Sequence, residues 1–334
     1  MRINRQTLLK IAEDTVAQRS RQERDIVSAF LIGSLLEEDY LLGGTTDIDL
    51  VFIHAETAQD EREIVRLTDE VHLDIAHYPQ KTFRQTRNLR RHPRLGPAIF
   101  SCKILYDPQH FMDFTQASVR GQFDRPDYII DRARQQAEFA RQTWMSFYTN
   151  TPKQSDPQEI YRYIKALEHA ANAVASLYGA PLTERRFLLA FHDRATAANR
   201  LSLYPGILEL LGAPNVEKEA LQIWLTAWRT CLEALPKERT PARVSPHRIP
   251  YYLRAFEFIL DGDQSMAVLF PLMRTWTLAA CQFPEGAESL AAWQKACQYL
   301  DWLGAGFTER VEALDAYLDS VEEVLDGWAQ ANGV

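Results

Sequence analysis

Within TDIDLVFIH, residues 46 to 54, two aspartates stand one residue apart inside an otherwise apolar run, and this is the tightest constraint on what the chain can fold into. In a strand, residues two apart share a face. Asp47 and Asp49 therefore project side by side, while Ile48, Leu50 and Phe52 fill the other face. Val51 and Ile53 continue the aspartate face as apolar residues, which predicts a strand buried on both sides. Two short carboxylates held close in such a setting repel, and a hard divalent cation with oxygen ligands is the usual compensator. Mg2+ suits the position, because it takes one or two carboxylates and completes its shell with water and phosphate oxygens.

Upstream, the apolar run Ala29–Ile32 ends in Gly33-Ser34. A turn of small residues after a strand lets backbone N–H groups and a hydroxyl approach phosphate oxygens closely. Taken alone, such a pair is ordinary turn punctuation. A third carboxylate, Asp74, interrupts VHLDIAHY (residues 71 to 78), a run that otherwise alternates as a strand. The preceding segment, Glu63 to Glu70, is expected to pair with it as a hairpin turning near Asp69-Glu70, with a short helix before Thr68 as the other reading. If this strand lies beside the first, three acids converge on one site.

These residues resemble the nucleotidyltransferase superfamily that includes DNA polymerase beta and the aminoglycoside nucleotidyltransferases. The likeness rests on Ile32-Gly33-Ser34, twelve residues from Leu35 to Thr46, then Asp47-Ile48-Asp49-Leu50, with Asp74 as the later acid. It covers the first third of the chain. Thr46 stands where many relatives carry serine, and the hydroxyl is retained. KILYDP, Lys103 to Pro108, also looks like the strand and turn that close this domain, more loosely. The resemblance implies a nucleoside monophosphate moved from a nucleoside triphosphate, with ATP expected, to a hydroxyl of a small-molecule acceptor such as an aminoglycoside-type antibiotic. It implies one or two Mg2+ held by Asp47, Asp49 and Asp74, with Gly33, Ser34 and Thr46 at the nucleotide. Asp74 is either a ligand of a second metal or a general base, and the residues do not choose. Two other readings stay open: a protein-modifying, AMPylating nucleotidyltransferase of the antitoxin kind, and a nucleotide-binding regulator without turnover. The helical ribonuclease domains that accompany the antitoxin kind carry an arginine shortly before a histidine. Arg186/His192 and Arg162/His169 both fit, so the spacing discriminates little.

A length of 334 residues, 46% of them hydrophobic, suggests two cores rather than one. The expected fold is an α/β nucleotidyltransferase domain, a mixed sheet with helices, over residues 1–120, followed by an all-α helical bundle over 121–334 that binds the acceptor. Residues 1 to 20 read as a charged amphipathic helix rather than a secretion signal, and no stretch is apolar enough to span a membrane. A cytoplasmic enzyme is the expectation, and a homodimer around the cleft is compatible with it. Cys102, Cys231, Cys281 and Cys297 lack metal-ligand spacing and read as buried thiols. The formal charge of -8 argues against a nonspecific nucleic-acid binder.

Beyond residue 120, helical periods take over. Asp156-Pro157-Gln158-Glu159 reads as N-cap, first-turn proline and capping-box acid of a helix running toward Gly179. Further helices are expected over Glu217–Leu235, Gln264–Gln282 with a kink at Pro271, Ala287–Leu303 ended by Gly304, and Thr308–Trp328. In the last, Val311, Leu314, Leu318, Val321 and Leu325 form one buried stripe. From residue 286 onward nine acids face two bases. Such a face can attract a polycationic sugar, although a solvated surface is the plainer reading. The basic run Lys81–Arg94 and the proline-rich loop Pro236–Pro250 are candidate binding elements by the same reasoning, with solvated surface as the alternative. Lys165 is a phosphate contact only by loose likeness, and His54, His72 and His77 read as packed or rim residues.

Overall fold

A computed structural model gives the fold and describes residues 4–58, 61–149, 156–236 and 240–334. The chain forms two compact units: Met1–Tyr128 with Pro250–Ala255, and Ile129–Ile249 with Phe256–Val334. The chain was expected to divide at residue 120. The units part at Tyr128 and Ile129, and the first also takes in a short segment from far along the chain.

The first unit opens with helix α1, Arg5–Gln22, capped by the Asn4 side chain, which accepts from the Thr7 amide at 2.9 Å. Five strands follow: β1 Ile26–Ile32, β2 Thr46–His54, β3 Arg62–Arg66, β4 Val71–Pro79 and β5 Lys103–Tyr106. They form one mixed sheet in the order β3-β4-β2-β1-β5, in which β2 and β4 run parallel and the other neighbours antiparallel. The expected hairpin is present as β3 and β4. Thr68 closes its turn, its hydroxyl accepting from the Glu70 and Val71 amides at 3.2 Å.

Burial of β2 on both faces follows from its alternation. Ile48, Leu50 and Phe52 pack with Leu8, Ala12 and Val16 of α1. Val51 and Ile53 pack on the other side with Phe83, Leu89, Ile99, Met112 and Val119. These last come from the segment between β4 and β5 and from beyond β5, which holds α2 Thr86–Arg91, α3 Leu95–Ser101 and α4 Phe111–Arg120. Within the basic run, Arg90 is committed to structure, donating to the Ser118 carbonyl at 2.8 Å and to Gln122 at 3.1 Å.

The remaining helices are α5 Pro126–Thr149, α6 Pro157–Ala175, α7 Phe187–Ala197, α8 Leu203–Leu210, α9 Lys218–Glu233, α10 Ile249–Asp261, α11 Leu269–Ala280, α12 Ala291–Tyr299 and α13 Gly304–Ala331. Asp156 caps α6 as its sequence implies, accepting from the Gln158 amide at 2.8 Å. In the second unit α6 and α11 are buried nearly all round, so the other helices pack about them. Two tryptophan N–H groups in this core are satisfied by threonine hydroxyls of α11: Trp228 on Thr275 and Trp293 on Thr277, both at 3.0 Å.

Three sequence expectations change here. Pro271 is not in a helix interior: the segment is a 3-10 turn, Ser265–Val268, followed by α11, and the proline lies in the first turn of α11, where its missing N–H has no partner within that helix to lose. Gly304 does not end a helix but begins α13 at φ +59°, and the helix before it stops at Tyr299. The acidic C-terminal face is largely paired within the chain. Arg141 of α5 is bound by Asp315, by Asp319 at 2.7 Å and by Glu322 at 2.9 Å, and Arg134 binds Asp326 at 3.2 Å. Burial opposes the charge on Arg141, yet the hydrogen bonds it donates to Glu322 and Asp319 raise its pKa above the ordinary value. The α13 stripe itself is buried at Val311, Leu314, Leu318, Val321 and Leu325.

Arg141→Ala leaves three acids facing one another without their cation. Since those acids are 41% to 66% exposed, the expected loss is about 1–3 kcal/mol, below the ~3–5 kcal/mol of a fully buried broken pair. Urea unfolding of wild type and variant measures it, and salt should narrow the difference.

All four cysteines are free thiols, with Cys102, Cys231 and Cys297 buried and Cys281 half-buried. Burial pushes Cys102 and Cys281 up to about 12 and Cys231 up to about 11, so each is protonated at neutral pH. Residues 237–239 of the proline-rich loop lie outside the described residues. Among the described residues no helix is long and apolar enough to cross a membrane.

Candidate functional site

Parallel pairing of β2 with β4 puts Asp49 opposite Asp74 and Asp47 opposite His72. Paired residues on neighbouring strands point to one face, so all three carboxylates emerge together. One oxygen from each of Asp47, Asp49 and Asp74 lies within 4.8 Å of the others. Further along the same face, the helices after β4 cover Val51 and Ile53, which leaves the acids at the uncovered beginning of the strand. Asp47 and Asp74 are 8% and 6% exposed, so little water screens their repulsion.

Gly33 closes over this cluster. Its backbone has φ +81° and ψ -164°, a combination essentially confined to glycine. A Cβ built there would collide with Asp49 Oδ2 and stand 2.9 Å from its Cγ. Ser34 begins a 3-10 turn directly after it, with its hydroxyl 3.4 Å from both the Tyr40 carbonyl and Thr46 Oγ1. Thr46 is fully buried and donates to the Asp47 carbonyl at 3.1 Å. The strand period puts it on the face opposite the aspartates, so its hydroxyl meets Ser34 rather than the carboxylates.

Two side chains that sequence reasoning did not name touch the acids. Arg62, on the edge strand β3, donates Nε to Asp74 Oδ1 and Nη2 to Asp74 Oδ2, each at 2.6 Å. Its Cα pairs with Ala76, two residues along β4 from Asp74 and on the same face, the diagonal reach expected of a long side chain. Tyr251, in the segment Pro250–Ala255, donates its phenol to Asp47 Oδ2 at 2.7 Å and meets the His72 ring edge-on at 5.4 Å. The segment is anchored at Gly43, where a Cβ would stand 2.6 Å from the Arg254 carbonyl carbon, and by the Arg254–Glu70 ion pair at 2.7 Å. Arg62 lies one residue before the segment expected to form the hairpin and gave no signal of its own. Tyr251 had no local signal beyond following the proline-rich loop.

Lys165 belongs to the second unit, paired with Glu168 at 2.6 Å, and lines a cavity of about 360 Å³ together with Arg162 and His169. An all-oxygen set of three short carboxylates, with a glycine whose missing side chain makes room for one of them, Asp49, fits Mg2+. Comparison with models of known protein families finds no match for this chain, and neither does comparison with curated proteins.

Proposed function

We propose that the first unit is the catalytic domain of a Mg2+-dependent nucleotidyltransferase with the DNA polymerase beta type of fold, moving a nucleoside monophosphate from a triphosphate to a hydroxyl of a small molecule. The observation that carries this reading is the convergence of Asp47, Asp49 and Asp74 within 4.8 Å beside a turn that only glycine can make. Fold alone would not argue it.

In this reading Asp47 and Asp49 hold Mg2+, which would neutralise triphosphate charge and favour in-line displacement of pyrophosphate. Gly33 leaves room for the Asp49 carboxylate, and the backbone N–H groups of the Gly33-Ser34 turn would meet phosphate oxygens. Tyr251 fixes the rotamer of Asp47 through its 2.7 Å hydrogen bond. Arg62 brings a positive charge into direct contact with the acids, and it occupies both oxygens of Asp74.

That pairing separates the two roles open to Asp74. As a metal ligand it must be released from Arg62, so Arg62→Gln should bind Mg2+ several-fold more tightly than wild type, read as a lower Mg2+ concentration for half-maximal thermal protection. As a general base alone, it leaves only the smaller, salt-screened gain that comes from removing the guanidinium charge.

The direct test incubates the protein with each labelled nucleoside triphosphate, Mg2+ and a panel of hydroxyl-bearing acceptors including aminoglycosides. Pyrophosphate release with label on a small molecule supports the reading. Label on a protein band moves the acceptor to a polypeptide, and no release with any triphosphate overturns it.

A further inference from the structure

At the other end of β2 stands a second group of ligand-type atoms. Glu23, just after α1, Asp25, just before β1, and His54, the last residue of β2, bring one oxygen or nitrogen each within 4.8 Å of one another. At a strand rise of about 3.3 Å per residue, His54 lies roughly 16 Å from Asp49, well outside the aspartate site.

His54 is 3% exposed and both ring nitrogens are engaged. Nδ1 is 2.7 Å from Asp25 Oδ2 and Nε2 is 2.9 Å from His77 Nδ1. His77 continues the row, with Nε2 3.2 Å from Glu63 Oε1 and its ring stacked on Phe52. Arg19 closes the far end, bound to Glu63 at 2.9 Å and to Glu23 at 3.0 Å.

Counting donors across this row exposes a deficit. Three contacts link Asp25, His54, His77 and Glu63; with both imidazoles neutral only two N–H groups are there to fill them, and either a proton or a metal ion at His54 Nδ1 makes up the third. If His77 donates to Glu63 and His54 donates to His77, then His54 Nδ1 and the Asp25 carboxylate face each other as two acceptors. Charge points the same way, since three carboxylates and one guanidinium in direct contact leave two negative charges.

We propose that Glu23, Asp25 and His54 Nδ1 form a binding site for a borderline divalent transition metal, of which Zn2+ is the natural example. One imidazole nitrogen with two carboxylates is a donor set that such ions accept, with water completing the shell on the exposed side of Asp25. The His54–His77–Glu63 row is the support that a metal-bound histidine requires, because its second N–H is held by an acceptor that fixes the tautomer. A metal there ties the end of α1 and the start of β1 to the end of β2. It is a clip on the sheet, separate in chemistry and place from the all-oxygen aspartate cluster.

The test uses metal-stripped full-length protein titrated with Co2+ in excess Mg2+, followed by visible absorption, with Zn2+ as competitor. One Co2+ per chain is expected, displaced by Zn2+, together with a rise in thermal midpoint on adding Zn2+. Asp49→Asn should retain this binding, whereas Asp25→Asn, altered at an exposed side chain, and Glu23→Gln, altered at a half-exposed one, should lose it with circular dichroism unchanged. His77→Gln touches no metal and should weaken affinity by about 10- to 100-fold. Wild type that takes up no Co2+ in excess Mg2+ overturns the proposal, and so does Asp25→Asn protein that binds as tightly as wild type. Loss of binding in Asp49→Asn would overturn it too, by assigning the ion to the aspartate cluster.

Discussion

Asp49→Asn is expected to lower nucleotidyl transfer by at least about 10³-fold, the equivalent of several kcal/mol of transition-state stabilisation lost with a metal ligand. The substitution keeps side-chain size and removes one negative charge from a cluster that repels itself, so the folded state should be no less stable than wild type, and its thermal midpoint in the absence of metal should be equal or higher. That pairing of outcomes is diagnostic: an activity lost while metal-free stability is kept separates a metal ligand from a structural residue. Steady-state pyrophosphate release and a melting curve, each with and without Mg2+, measure both. Full activity in Asp49→Asn would remove the site assignment altogether.

Gly33→Ala should come close to the same loss by a different route. The added Cβ collides with Asp49 Oδ2 at a backbone setting of φ +81° and ψ -164°, so either the Asp49 carboxylate swings away or the turn rebuilds. Backbone strain of this kind costs on the order of 1–3 kcal/mol. The greater effect is on the site, because a ligand displaced by an ångström no longer shares an ion with Asp47, and about 10²-fold of rate goes with such a misplacement. Mg2+ protection against unfolding should fall in parallel with kcat. Glycine at this position is thus required twice, once for its dihedrals and once for the space beside Asp49. An alanine variant with wild-type Mg2+ protection would show that the turn has no part in holding the ion.

Much of the candidate site was readable in one dimension. The period of two along Thr46–His54 requires Asp47 and Asp49 to share a face, and the same alternation puts Thr46 on the other. Asp74 was placed by its interruption of an apolar run. What alternation could not supply was the pairing of β2 with β4, which turned a third acid somewhere on the sheet into one directly opposite Asp49. Arg62 and Tyr251 belong to the same class of omission. A long side chain on an edge strand and a phenol 204 residues from its partner leave no periodic trace, because only their distance in space makes them partners.

The helical region shows the same division. Stripes such as Val311 to Leu325 and caps such as Asp156 are local, so their physics is written in neighbouring residues. The acidic face of α13 was equally plain as a run of charge, but its partners, Arg134 and Arg141, lie on α5. Pro271 was read from the same local pattern, but where α11 begins, at Leu269 after the 3-10 turn Ser265–Val268, is set by how the chain arrives there.

By itself, then, the sequence determined that strands give way to helices along the chain, which faces of β2 and α13 are apolar, and that two acids must sit together, since these follow from backbone periodicity and burial over a few residues. Tertiary structure alone decided that Asp74 joins them, that Arg62 and Tyr251 restrain them, and that Glu23, Asp25 and His54 meet at the far end of the same strand. Those contacts depend on strand order and loop closure, where residues distant in the chain are brought within a few ångströms by the packing of everything between them.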